Sequence, residues 1–186
     1  MAEMDAAACL KRGTEYFNQD DFDRAIAEFT EAIRLDPNLA AAKSHLAVVY
    51  FNRGVMLFQE GNCERAIADL TESIRFNLDD ATAYGARGTI YNSKGDYDGV
   101  IKDFTEVIRL GTDVAAPYSL RAGAYADKAK TYRTNGDKDN FFKYIDLSIE
   151  DYKASLNIDP DDIDVQKALE HLKNERELRR KVYEQV

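Results

Sequence analysis

An arginine followed by a small residue, with an aromatic or leucine three positions further on, recurs along the chain: Arg12-Gly13 with Tyr16, Arg53-Gly54 with Leu57, Arg87-Gly88 with Tyr91, and Arg121-Ala122 with Tyr125. The small residue returns after 41, 34 and 34 residues, and self-similarity at such a period points to a stack of repeated supersecondary units. A second run follows each copy: Ala25, Phe29, Ala32; Ala66, Leu70, Ser73; Val100, Phe104, Val107; Ser148, Tyr152, Ser155. A stack buries its apolar faces between neighbours, so function is sought on its surfaces.

The spacing within each copy is helical. Cys9, Gly13 and Tyr16 share one face of a segment over 5–18, and Phe22, Ile26, Phe29 and Ile33 share one face over 22–35. Asp20-Asp21 separates the two segments and Asp36-Pro37-Asn38 stops the second. The same hairpin is rewritten over 47–80 with Gly61-Asn62 at its inner turn, over 81–114 with Gly95-Asp96 there, and again from Ala115.

This ladder of small and aromatic residues resembles the tetratricopeptide repeat, a helix-turn-helix of 34 residues. The resemblance covers residues 6 to about 160. Departures are few: Cys9, Tyr50, Tyr84 and Tyr118 stand at the first aromatic slot, where the family often has Trp, and Leu78 and Thr112 replace the closing proline kept as Pro37 and Pro160. The resemblance implies an all-α, right-handed superhelical solenoid of four hairpins plus a C-terminal capping helix. As one domain over 1–186, the repeats fall at about 6–39, 47–80, 81–114 and 115–160, with the cap over 161–186.

Insertions depart more sharply. Seven extra residues, Ala40–Leu46, rich in helix formers, precede the second copy. Seven residues are almost two helical turns, so a single long helix over 39–60 keeps its faces nearly in phase. In the fourth copy Gly136 comes seven residues late and Ser148, Tyr152 and Pro160 fourteen late, so each helix of that hairpin, about 115–135 and 138–157, gains seven. Its tip, carrying Tyr132, Phe141, Phe142 and Tyr144, is expected to project. The cap places Val165, Leu169 and Leu172 on one face, then loses its apolar stripe, so Arg179–Val186 is expected to protrude or fray.

Acids stand one residue before each second-helix aromatic or leucine: Glu28, Asp69, Asp103 and Asp151. Matched to Arg12, Arg53, Arg87 and Arg121, they predict ion pairs tying the two helices of each hairpin, in preference to an anion-binding ladder. In the family the first helices make the inner groove. The residues facing it here are Leu10, Thr14 and Phe17; Phe51, Asn52, Val55 and Phe58; Gly85, Thr89 and Asn92; Ser119, Gly123 and Ala126. The binding set expected from these is Leu10, Thr14, Phe17, Phe51, Asn52, Val55, Phe58, Thr89 and Asn92, with apolar anchors in the first two copies and small or polar groups later. Family members that grip chaperone C-termini use a clamp of Lys, Asn, Asn, Lys and Arg. The corresponding places hold Leu10, Thr14, Asn52, Thr82 and Ala86, so that clamp is absent.

Composition narrows the partners. The net charge of −9 disfavours a nucleic-acid backbone, which needs clustered cations. The first-helix segments carry +6, leaving −15 elsewhere; most of the first-helix surplus belongs to the paired arginines, so a mildly acidic or apolar protein or peptide is favoured inside. Cys9 and Cys63 fall at core slots, not in a disulfide framework. His45 and His171 lack ligand-spaced companions and read as surface residues. No catalytic residue, metal or cofactor is expected. Acids near the N-terminus, no apolar run long enough for a signal peptide and no membrane-spanning run lead to an expected cytoplasmic location, barring a removed leader. The function expected is a non-catalytic interaction module or scaffold holding a partner's peptide or helix in its groove. The alternative is a structural homo-oligomer joined through the lengthened helices and the fourth hairpin.

Overall fold

The computed structural model describes residues 5–111 and 113–184. The acidic start at Met1–Met4, the Thr112 slot, and Gln185 and Val186 of the expected frayed end lie outside the described residues. Among those described there are nine helices and no strand: α1 (Ala6–Phe17), α2 (Phe22–Leu35), α3 (Ala40–Gln59), α4 (Cys63–Phe76), α5 (Ala81–Lys94), α6 (Tyr97–Arg109), α7 (Ala116–Thr134), α8 (Lys138–Ile158) and α9 (Ile163–Glu184). The residues form two compact units divided between Ile90 and Tyr91.

Turn chemistry sets the helix ends. Aspartates at the starts of α1, α2, α6 and α8 accept a backbone amide of the first turn: Asp5 from Ala8, Asp21 from Arg24, Asp96 from Gly99 and Asp137 from Asn140. These bonds satisfy donors that a helix start leaves orphaned. Asp137 also receives the Asn140 side-chain amide, and these bonds, the side-chain one foremost, hold its carboxyl below the usual range. The inner turns need one left-handed residue, supplied by Gly61, Gly95 and Gly136 at φ of 80°, 70° and 75°. In the first hairpin Asp20 takes that place at φ 56°, a conformation that costs a residue with a Cβ.

In the first unit α1 packs on α2 and α3 on α4. The closest approach is at Gly13, where an added Cβ would lie 2.6 Å from the ring of fully buried Phe29. Around Phe29 gather Phe22, Ala25, Leu46 and Val49. The added residues Ala40–Leu46 are helical and join this core: Leu46 packs in the Phe29 cluster, and Ala42 packs with Cys9 and Ala32. Keeping phase across the insertion is what lets both side chains point inward.

In the second unit α7 and α8 form a long hairpin, and α9 lies against α8. Ala126, Ala129, Phe141, Ile145 and Ile149 share a core with Leu169 and Leu172 of α9, with Tyr132, Phe142 and Tyr144 packed against it. The aromatics of the lengthened hairpin are thus packed within this unit, and Phe141 is only 1% exposed. Of the end expected to protrude or fray, Arg179–Glu184 does not fray. The helix continues, and the Tyr183 ring meets Phe142 edge-on at 6.0 Å. Ala126, assigned above to the inner face, is likewise buried.

Replacing Asp20 with glycine removes the only non-glycine residue with positive φ among those described. Asp20→Gly is expected to stabilise the protein by about 0.5–1 kcal/mol, raising the urea midpoint in an equilibrium melt; a lowered midpoint would show that the turn is not strained there.

Candidate functional site

The recurring arginines are held within the fold. The Arg12 guanidinium donates two hydrogen bonds to the Glu28 carboxylate at 3.0 and 2.7 Å. Arg53 binds both oxygens of Asp69 at 2.6 and 2.8 Å, and Arg121 both oxygens of Asp151 at 2.7 and 2.8 Å. This two-pronged geometry is strong and directional. The hydrogen bonds donated to Glu28, Asp69 and Asp151 are the main reason each arginine's proton is held even more tightly than usual. The same side chains reach back to an earlier helix: Arg53 to Asp23, Arg87 to the Thr71 hydroxyl and Arg121 to the Thr105 hydroxyl. These bonds reach beyond each arginine's own hairpin, so the arginines serve the stack and are not presented as an anion-binding ladder.

A cleft of about 340 Å³ opens between the end of α1 and the start of α3. Thr14, Phe17 and Asn18 form one wall and Ser44, His45 and Val48 the other. Of the predicted residues, the structure thus brings Thr14 and Phe17 together. Phe17 is half-buried, its ring 6.2 Å from Phe22, and Thr14 spends its hydroxyl on the Leu10 carbonyl at 2.9 Å. Leu10 is half-buried against two core clusters. Phe51 and Phe58 pack against the cluster of Leu57, Ala66, Leu70 and Ile90, which makes them core flanks as much as surface anchors. Asn52 and Val55 are half-buried on α3, and Thr89 and Asn92 are exposed on α5, with the Thr89 hydroxyl turned to its own helix at Gly85.

The other wall holds what the sequence reading missed. Val48 is 49% exposed, the most open large apolar side chain of α3. Ser44 and His45 belong to the seven-residue insertion. His45 is a correction: it is no free surface residue but half-buried, its ring 5.0 Å from that of Phe29. His45 Nδ1 lies 2.6 Å from the Ala41 carbonyl. A carbonyl only accepts, so in the neutral ring Nδ1 carries the proton and Nε2 is an acceptor. The signal available in the sequence was position alone: an insertion in a first helix must add new surface beside the groove.

The cysteines are not paired. Cys9 is fully buried, and burial pushes its thiol up. Cys63 is half-buried at the start of α4, less enclosed than its expected core slot.

Residues 13–54 match the TPR repeat family, and residues 81–110 match the tetratricopeptide repeat family. It is a tetratricopeptide-repeat protein. No curated protein matches the sequence. Solved structures with the same fold include the second TPR domain of human RPAP3 in complex with an HSP70 peptide, 22% identical with a TM-score of 0.57 over 70% of this chain and 98% of that one. The Arabidopsis OM64 TPR domain is 16% identical, with a TM-score of 0.58 over 71% and 98%. MamA from Desulfovibrio magneticus RS-1, residues 41 to end, is 15% identical, with a TM-score of 0.56 over 97% and 92%. At these identities the likeness is one of fold: all-α, of the tetratricopeptide kind. No described helix is long and apolar enough to cross a membrane.

The side chains of Arg53 and Asp69 are 18% and 9% exposed. Arg53→Ala strands the Asp69 carboxylate and is expected to cost about 3 kcal/mol. Arg34→Ala, which breaks a more exposed pair with Glu31, should cost under about 0.5 kcal/mol. Urea melts of the two variants check this, and equal losses would remove the structural role assigned to the arginine ladder.

Proposed function

We propose that this tetratricopeptide-repeat protein is a non-catalytic interaction module that holds a peptide or helix of a partner protein on the face made by α1 and α3. The observation that carries the reading is the cleft between these helices, where half-exposed Phe17 and exposed Val48 stand open beside polar Asn18, Ser44 and His45. Apolar side chains flanked by a few polar groups suit a docking segment, whose anchors supply binding energy while hydrogen bonds fix register. Asn52 and Val55 continue the face along α3, with Leu10, Phe51 and Phe58 supporting it from their half-buried places. Thr89 of α5 belongs to the same unit and completes the set there.

The RPAP3 domain carries an HSP70 peptide, so a protein of this fold can hold a short peptide segment. The chemistry here differs. Leu10, Thr14, Asn52, Thr82 and Ala86 stand at the places of a carboxylate clamp, and the arginines of the first helices are spent on Glu28, Asp69 and Asp151. The favoured ligand in this face is therefore apolar, anchored by a side chain between Phe17 and Val48, with a donor such as a backbone N–H for His45 Nε2.

The protein isolated from its native host with bound partners tests this. Val48→Glu, at an exposed position, is expected to reduce recovery of the partner about tenfold while leaving the helical circular dichroism unchanged. Undiminished recovery with intact folding would defeat the reading. Val48 is preferable to Phe51 or Phe58, whose truncation also opens the core.

A further inference from the structure

The second unit holds another cleft, of about 360 Å³, between the start of α8 and the end of α9. It uses the turns added to the fourth hairpin, and it is independent of the face on α1 and α3. Phe142 and Tyr183 supply its aromatic part, and Lys138, Arg176 and Arg180 ring it. Asp146 and Glu184 are the acids at its edge.

The charges here are unevenly satisfied. Lys138 has no carboxylate partner among the described residues; its Nζ sits 4.8 Å over the Tyr183 ring. Among the described residues Arg180 pairs only with Glu184 one turn on, the two being 66% and 65% exposed, an arrangement that water and salt readily loosen. Arg176 is held by Asp146. Lys153 and Lys173 line an adjoining cleft and make no ion pair among the described residues. In the same stretch of α9, Arg179 Nε is buried without a hydrogen-bond partner. Residues 173–181 carry five cations against two acids in a chain of net charge −9.

We propose that this cleft docks an acidic segment of a partner protein. Carboxylates of the segment meet Lys138 and Arg180, replacing Glu184 on the arginine, and an aromatic or large aliphatic side chain enters beside Phe142 and Tyr183. Charge complementarity selects this occupant: the cations are surplus here, while the acids of the chain dominate elsewhere. An aromatic floor adds apolar contact that a small anion would not use. A nucleic-acid backbone fits less well, because Asp146, Glu150, Glu177 and Glu184 stand among the cations and repel a continuous line of phosphates.

Selection of a random decapeptide library on the immobilised full-length protein, followed by fluorescence anisotropy with the most enriched peptide, tests the assignment. Enriched peptides should combine several acids with an aromatic or leucine. Their affinity should fall about tenfold in the exposed-site double variant Lys138→Glu/Arg180→Glu and fall with added NaCl, while Val48→Glu leaves it unchanged. Loss of binding in Val48→Glu alone would place the acidic ligand on the α1 and α3 face and overturn the assignment. Enrichment without acids, equal affinity for the double variant, or tighter binding of oligothymidylate would each overturn the proposal. So would self-association by light scattering that the double variant abolishes, which would make the occupant a second copy.

Discussion

Close approach of two helices at a residue without a side chain is the constraint on which the first hairpin rests. Gly13 leaves room for the Phe29 ring, which fills the space that any Cβ would claim. A short amphipathic helix is marginal by itself and gains its stability by burying one face against a neighbour. The same slot holds Gly54 against Leu70 in the second hairpin. In the fourth it holds fully buried Ala122, whose carbonyl accepts the Ser148 hydroxyl at 2.7 Å. In that register Ser148 stands at the place of Ala25, and Tyr152 at the place of Phe29.

Arginine takes the position beside it because the same closeness brings a carboxylate of the second helix within reach. A guanidinium has a fixed planar fork and several donors, so it can bind both oxygens of an acid in its own hairpin and still touch an earlier helix. Arg53 does this with Asp69 and Asp23. The consequence for function is subtractive: cations that would otherwise dress the first helices are neutralised, and what remains exposed on α1 and α3 beside the cleft is apolar and weakly polar.

Much of this was legible in the chain because it follows from spacing. The arginine and acid partners could be paired by register, and Arg12, Arg53 and Arg121 have the partners so assigned. Helix ends could be read from Asp, Gly and Pro because those residues act locally. The end of α9 could not, for a physical reason. Its inward face runs on at helical spacing from Val165, Leu169 and Leu172 to Arg176 and Tyr183, so the contacts change from apolar to ionic and aromatic where a hydrophobic pattern ends. Arg133 with Glu175 and Arg176 with Asp146 hold that half of the helix in place. His45 was illegible for a similar reason: its ring packs on Phe29 only because the insertion keeps helical phase, a geometric fact that no residue type announces.

The insertions are thus where a generic stack acquires a particular surface: Ala40–Leu46 supplies Ser44 and His45 to one wall of the α1 and α3 cleft, beside Val48. Photo-crosslinking from that wall examines the account most directly without disturbing the core. With a benzophenone amino acid at exposed Ser44 in the cleft, and in a separate protein at exposed Ala68 on α4, the account predicts that the native partner is captured from Ser44 and not from Ala68. Capture from Ala68 with none from Ser44 would contradict it.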